Sequence, residues 1–312
     1  MNRLLAVALL LLASPALAQQ SPPLELSLEP VEGAGPYIRR LRLRSTRAQQ
    51  VARDRRLLEL RVRPRQGRRR HRCTHPLAPR RVDASRVAAM SAGEAYDEWV
   101  DVRMYCTGAA LRALEQGAIV EVHYGFRARG RRRWVARQEG ERRPPHRVVG
   151  PELSWPPNPP QEVEGPVRVR LVPTTSQGPP IFRLRVTGQG RVYLRDDLWS
   201  FEVKGPLGSM VCSMRRQPVV PIVDFFVRLG RRPRRATLDA QAYCPRGTFG
   251  VQGVYEVTPR LELIYDGEAQ GVHAQTGTFE GPPAPVRVLR RGAPYVEHRL
   301  EDLRTHQESA HE

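Results

Sequence analysis

The chain has 312 residues, 51 basic against 32 acidic, a formal net charge of +19, 29 prolines and 25 glycines. Beyond one short apolar run at the N-terminus, no segment approaches the ~20 apolar residues of a membrane-spanning helix, which excludes an integral helical membrane protein. Lys204 is the one lysine, and residues 1–150 hold 30 arginines against 14 acids (+16), leaving 21 basic against 18 acidic residues (+3) for the remainder. A GC-rich coding sequence accounts for arginine in place of lysine, but not for that asymmetry.

In chain order, Arg3, the apolar run Leu4 to Ala13 and Ala16-Leu17-Ala18 form a signal-peptide pattern, with cleavage expected after Ala18. No cysteine stands near that site, so a soluble exported product, periplasmic or secreted, is expected in place of a lipid-anchored one. Short alternating segments cut by Gly and Pro then predict strands near 24–29, 37–44, 57–64, 68–74, 99–105, 118–126 and 132–137. Leu58-Glu59-Leu60-Arg61-Val62-Arg63 alternates apolar and charged residues, as a half-buried strand requires, and Gln66-Gly67 reads as the hairpin turn after it. Pro144-Pro145, Pro156-Pro157 and Pro159-Pro160 mark a semi-rigid spacer over 144–166. A second set of strands is expected near 167–172, 180–187, 198–204, 209–214, 236–243, 255–265 and 272–279. Residues 295–312 read as an acidic tail or short helix, with Val296, Leu300 and Leu303 on one face.

The second set repeats the first. Leu24 to Arg44 aligns without a gap on Val167 to Thr187, and Val100-Asp101-Val102 to Tyr105-Cys106 recurs as Leu238-Asp239-Ala240 to Tyr243-Cys244. Cys73 corresponds to Cys212. A period of roughly 140 residues is a domain rather than a solenoid repeat, giving modules at 19–143 and 167–294. In an oxidising compartment four cysteines permit three pairings, and the duplication selects Cys73 with Cys106 and Cys212 with Cys244. His71, Cys73 and His75 also suggest a metal site on one strand, but the second copy has no histidine around Cys212, so the disulfide reading is preferred and no metal or cofactor is expected.

Seven short strands per copy point to an all-β fold of two tandem immunoglobulin-like antiparallel β-sandwich domains, one disulfide each. The succession of a β-branched strand, an x-Gly hairpin, Gly93-Glu94, the Val100 to Tyr105 strand and a Gly-led strand from Gly117 to Tyr124 resembles bacterial immunoglobulin-like sandwiches. The types in question are the Bacillus intracellular proteinase inhibitor and the β-domains that accompany aspzincin peptidases. That resemblance implies a sandwich fold and leaves inhibition as an alternative activity.

No H-E-x-x-H, G-x-S-x-G or phosphate-loop motif occurs, so an enzyme is not expected. Asp101 and Asp239 read as turn residues that bond backbone, Tyr105 and Tyr243 as packing residues, and Trp99, Trp134, Trp155 and Trp199 as core or linker anchors. The functional lead is arginine. Arg61, Arg63 and Arg65 alternate along one strand, Arg127, Arg129 and Arg131 along another, and Arg68, Arg69 and Arg70 join them. Guanidinium groups grip phosphate and carboxylate bidentately, which suggests docking on lipopolysaccharide or acidic polysaccharide, or on an exported protein. The alternatives are a protease inhibitor or enzyme accessory acting through loops 205–209 or 245–250, and a purely architectural spacer.

Overall fold

The computed structural model describes residues 23–79, 81–82, 84–125, 133–134, 147–159, 164–175, 177–216 and 220–289. The segment read as a signal peptide and the C-terminal residues 295–312 lie outside them.

The first half runs β1 (Leu24–Pro30), β2 (Ile38–Ser45), β3 (Gln49–Ala52), β4 (Leu58–Pro64), β5 (His71–Thr74), β6 (Arg81–Val82), β7 (Val87–Met90) and β8 (Ala95–Asp101). It continues through α1 (Ala109–Glu115), β9 (Ala118–Gly125), β10 (Arg133–Trp134) and β11 (Arg147–Trp155). The second half runs β12 (Val167–Pro173), β13 (Ile181–Gly188), β14 (Arg191–Tyr193), β15 (Trp199–Gly205), β16 (Gly208–Ser213), β17 (Phe226–Arg228), β18 (Arg234–Asp239), β19 (Gly253–Leu263), β20 (Gly277–Glu280) and β21 (Ala284–Val288).

Period-two alternation builds each sandwich. Leu24, Leu26 and Leu28 of β1, Leu41 and Leu43 of β2, and Leu60 and Val62 of β4 point inward and are buried, while the residues between them face water. In the first half the sheet β1-β2-β8 covers one side of that core and β11-β9-β4-β5 the other. In the second, β12-β13-β18 faces the sheet in which β16-β15-β19 continues to β20 and β21. All of these pairings are antiparallel. The fold is the expected all-β sandwich, with two separate apolar cores, and the disulfides Cys73–Cys106 and Cys212–Cys244 each close within one of them.

The two halves correspond in register. Ile38 stands opposite Asp101 as Ile181 stands opposite Asp239, and Leu60 opposite Cys73 as Phe201 opposite Cys212. Matching short 3₁₀ turns precede β4 (Arg55–Leu57) and β15 (Asp196–Leu198). Helix α1 is the main departure, since the second half puts a turn at 245–248 in its place.

The spacer expected over 144–166 is shorter than its prolines suggest. Val148 and Trp155 are buried and draw Arg147–Trp155 onto β9 as an edge strand. A register irregularity between Val149 and Glu152 takes in Gly150-Pro151, so the missing proline N–H costs the ladder little. The halves also touch directly. Arg103 bridges Asp101 and Glu256, Arg287 donates to the Met104 carbonyl at 2.8 Å, and Val254 and Leu289 pack against the first core.

Candidate functional site

The outer face of β11-β9-β4-β5 collects the arginines of the first module. Strand alternation brings Glu59, Arg61 and Arg63 outward on β4, and the neighbouring strands add Arg72, Glu121, Glu152 and Ser154 on the same side. Most of the arginines meet a carboxylate there. Arg61 lies 3.5 Å from Glu59 and 3.9 Å from Glu121, Arg63 pairs with Glu152 at 3.3 Å, Arg70 with Glu121 at 3.0 Å and Arg72 with Glu59 at 2.7 Å. Arg65 donates to the Ser154 hydroxyl at 2.9 Å. Arg68 and Arg69, exposed in the turn between β4 and β5, make no ion pair among the described residues. The cationic surface is therefore concentrated at the hairpin end, where Arg65, Arg68 and Arg69 have no acidic partner among the described residues. Arg127, Arg129 and Arg131 lie outside the described residues.

The residues weighed for chemistry have structural work. All four cysteines are in disulfides. His75 is buried, accepts from Leu77 N at 3.1 Å through Nδ1 and lies edge-on to Tyr105, with ring centroids 5.2 Å apart. Burial first, then the Arg55 and Arg56 guanidinium groups, hold its imidazole down at about 3, so it is neutral at physiological pH. Asp101 and Asp239 each cap the 3₁₀ turn that follows, accepting from Arg103 N and Gln241 N at 2.9 and 3.0 Å. Tyr105 donates to the Arg55 carbonyl at 2.8 Å. Trp155 lies in the core with the Arg39 guanidinium 3.9 Å from its ring centre, and Trp199 lies in the second core. Among the described residues no group of three or more His, Cys, Asp or Glu side chains is placed to hold a metal.

The second module presents a different surface at the corresponding places. Its hairpin runs Gly205-Pro206-Leu207-Gly208 and leaves Leu207 62% and Val211 73% exposed. Gly205 is required there, because a Cβ would fall 2.3 Å from the Tyr255 ring. The hairpin lies against the turn at 245–248, the Thr248 hydroxyl meeting Met210 Sδ at 3.0 Å, and the two border a groove of about 300 Å³. The loops named from the sequence, 205–209 and 245–250, are thus neighbours.

A second groove, of about 410 Å³, opens beside β18 and was missed by sequence reasoning. Leu184, Trp199, Leu238 and Tyr243 line its floor and Asp196 its rim. Burial first, then the Asp196 and Asp197 carboxylates, push the Tyr243 hydroxyl up to about 12, so it stays a neutral donor. The available signal was a charge reversal. Asp54-Arg55-Arg56 of the first copy occupies the positions of Arg195-Asp196-Asp197 in the second.

No family model and no curated protein matches the chain. Among solved structures the chain is similar to red sea bream transglutaminase at 11% identity and a TM-score of 0.21, over 86% of this chain and 32% of that one. The chain thus spans about a third of that protein's length, and no activity is taken from so low a score. No described helix is long and apolar enough to cross a membrane.

Proposed function

We propose that the chain is an exported, non-catalytic binding protein whose first module docks on polyanionic envelope or matrix material through the β4–β5 hairpin. The observation that carries this reading is the surplus of cations over carboxylates on that sheet. Glu59, Glu121 and Glu152 occupy Arg61, Arg63, Arg70 and Arg72, and beyond them Arg65, Arg68 and Arg69 stand without acidic partners among the described residues. A paired guanidinium with several N–H groups still has donors to spare for a phosphate or carboxylate. The +16 of residues 1–150 supplies the longer-range attraction.

Retention on heparin or on anionic vesicles, measured against salt, tests this. Arg65→Ser/Arg68→Ser/Arg69→Ser should elute at markedly lower salt, each lost contact reducing the slope of log affinity against log salt by roughly 0.7–0.9. Elution of the triple variant at the wild-type position would reject the reading.

The meeting of hairpin 205–208 and turn 245–248 favours a second reading, a protease inhibitor or enzyme accessory that presents those loops, with Leu207 as the exposed apolar tip. A panel of secreted proteases tested for inhibition and for complex formation decides it, and a blank panel removes it.

A further inference from the structure

The groove beside β18 exists because the second module lacks a plug that the first module carries. In the first half the inward side chain of Glu98 on β8 lies 3.3 Å from Arg55, Arg55 is buried and Glu98 largely so, and Arg55 also donates to the Trp99 carbonyl at 3.0 Å. Met104 is buried beside them. By the shared register Glu98 corresponds to Ala236, Met104 to Ala242 and Arg55 to Asp196. Three long side chains become three short ones, and the space they would fill is the 410 Å³ groove.

What remains is chemically specific. Tyr105 spends its hydroxyl on the Arg55 carbonyl, whereas the hydroxyl of Tyr243, a residue 8% exposed, has no hydrogen-bond partner among the described residues and borders the groove. Among the described residues Asp196 makes no ion pair, and its neighbour Asp197 is occupied by Arg195. An open carboxylate above an apolar floor of Trp199 and Leu238 suits a side chain with a hydrocarbon stem and a cationic head. β18 is moreover the edge of its sheet, with Arg234 to Thr237 all exposed, so an extended segment can lie along it. Asp239, Arg195, Arg234 and Arg235 also line the groove; Arg195 is held by Asp197, and Arg234 and Arg235 discourage a second basic residue in that segment.

We propose that this groove binds an arginine or lysine side chain presented by an extended segment of a partner protein, the head on Asp196 with the Tyr243 hydroxyl beside it, in the place the first module fills with its own Arg55. The site is independent of the polyanion surface and stands or falls separately from it.

Acetylated, amidated pentapeptides Gly-Val-X-Val-Gly, with X as Arg, Lys, Leu or Glu, titrated calorimetrically into the full chain provide the test. The Arg and Lys peptides should bind at least about tenfold more tightly than the Leu and Glu peptides. The +19 chain repels cations in general, so that preference requires a local site. Asp196→Asn should weaken the Arg peptide at least about tenfold and Tyr243→Phe severalfold. Asp196→Arg/Ala236→Glu rebuilds the plug and should abolish binding while near-ultraviolet circular dichroism stays native. Equal affinity for the Arg and Leu peptides, wild-type affinity in Asp196→Asn, unimpaired binding by the folded plug variant, or no binding at millimolar peptide would each overturn the proposal.

Discussion

The β4–β5 and β15–β16 hairpins occupy the same place in matching sheets and keep apolar residues at the same inward positions. Leu60 and Val62 over Cys73 in one correspond to Phe201 and Val203 over Cys212 in the other, all buried. Outward, the two share almost nothing. Arg61, Arg72 and Glu121 of the first module stand where the second has Glu202, Val211 and Thr258. Burial restricts what a core position accepts, because a wrong volume costs several kcal/mol, whereas an exposed position is free within a few tenths. The two sandwiches therefore match in core and disulfide while their faces differ. The groove beside β18 obeys the same logic from the inside: it lies where the second half has Asp196, Ala236 and Ala242 at the positions of Arg55, Glu98 and Met104.

The sharpest break of the comparison is removal of each disulfide in turn. Cys73→Ala/Cys106→Ala and Cys212→Ala/Cys244→Ala open loops with separations of 33 and 32 residues, so chain entropy predicts nearly equal losses of about 3–4 kcal/mol. Urea titrations of the two variants check this. Unequal losses would show that the Arg103–Glu256 and Arg287–Met104 contacts make one module support the other.

Next in size is the plug. Glu98→Ala leaves Arg55 buried without its carboxylate and should cost about 3 kcal/mol by the same titration, since an uncompensated buried charge is costly. The reciprocal change in the second module, Ala236→Ser at the exposed counterpart, should move stability by less than about 0.5 kcal/mol. Comparable losses at both positions would mean the groove is as tightly packed as the plug.

A smaller, pH-dependent difference separates His75 from Met214, its counterpart after the matching cysteines. His75 is held neutral in the fold, with its protonation lowered to about 3, while an unfolded histidine protonates near ~6.5. The unfolded state thus binds the extra proton between those values. Stability from this group is complete above about pH 6.5 and declines as pH falls toward 3, by up to about 1.4 kcal/mol per unit. His75→Met should flatten that decline, read as the difference between wild-type and variant melting temperatures from pH 7 to pH 4. An unchanged slope would place the acid sensitivity elsewhere.

Much of this architecture was readable from the chain because its causes are local or repeated. Alternation marked β1, β2 and β4, and the repeated segments paired the cysteines and matched Asp101 with Asp239. Strand β11 escaped notice because Gly150-Pro151 resembles a linker until an irregular register absorbs it. The arginine face was read as more open than it is, because Glu121 and Glu152 reach Arg61, Arg63 and Arg70 only through pairing with strands distant in sequence. The groove required knowing that Arg55 and Glu98 meet, 43 positions apart by subtraction, before their replacement by Asp196 and Ala236 acquired a meaning.

The smallest expected effect tests whether the outward divergence is free. Val211 lies on edge strand β16, 73% exposed, at the register position of Arg72, and it faces Glu202 as Arg72 faces Arg61. Val211→Arg places a guanidinium beside that carboxylate, in water, where a pair contributes about 0–1 kcal/mol, and β-propensity lost from valine offsets part of it. Thermal unfolding should therefore shift by less than about 2 °C for a two-module chain of this size. The same substitution charges an uncharged edge strand and should reduce concentration-dependent association in light scattering, since edges bearing charge resist strand-to-strand pairing. A loss of several degrees would mean that Val211 is packed against something in the folded protein, and the outer face of the second module would then be constrained as its core is.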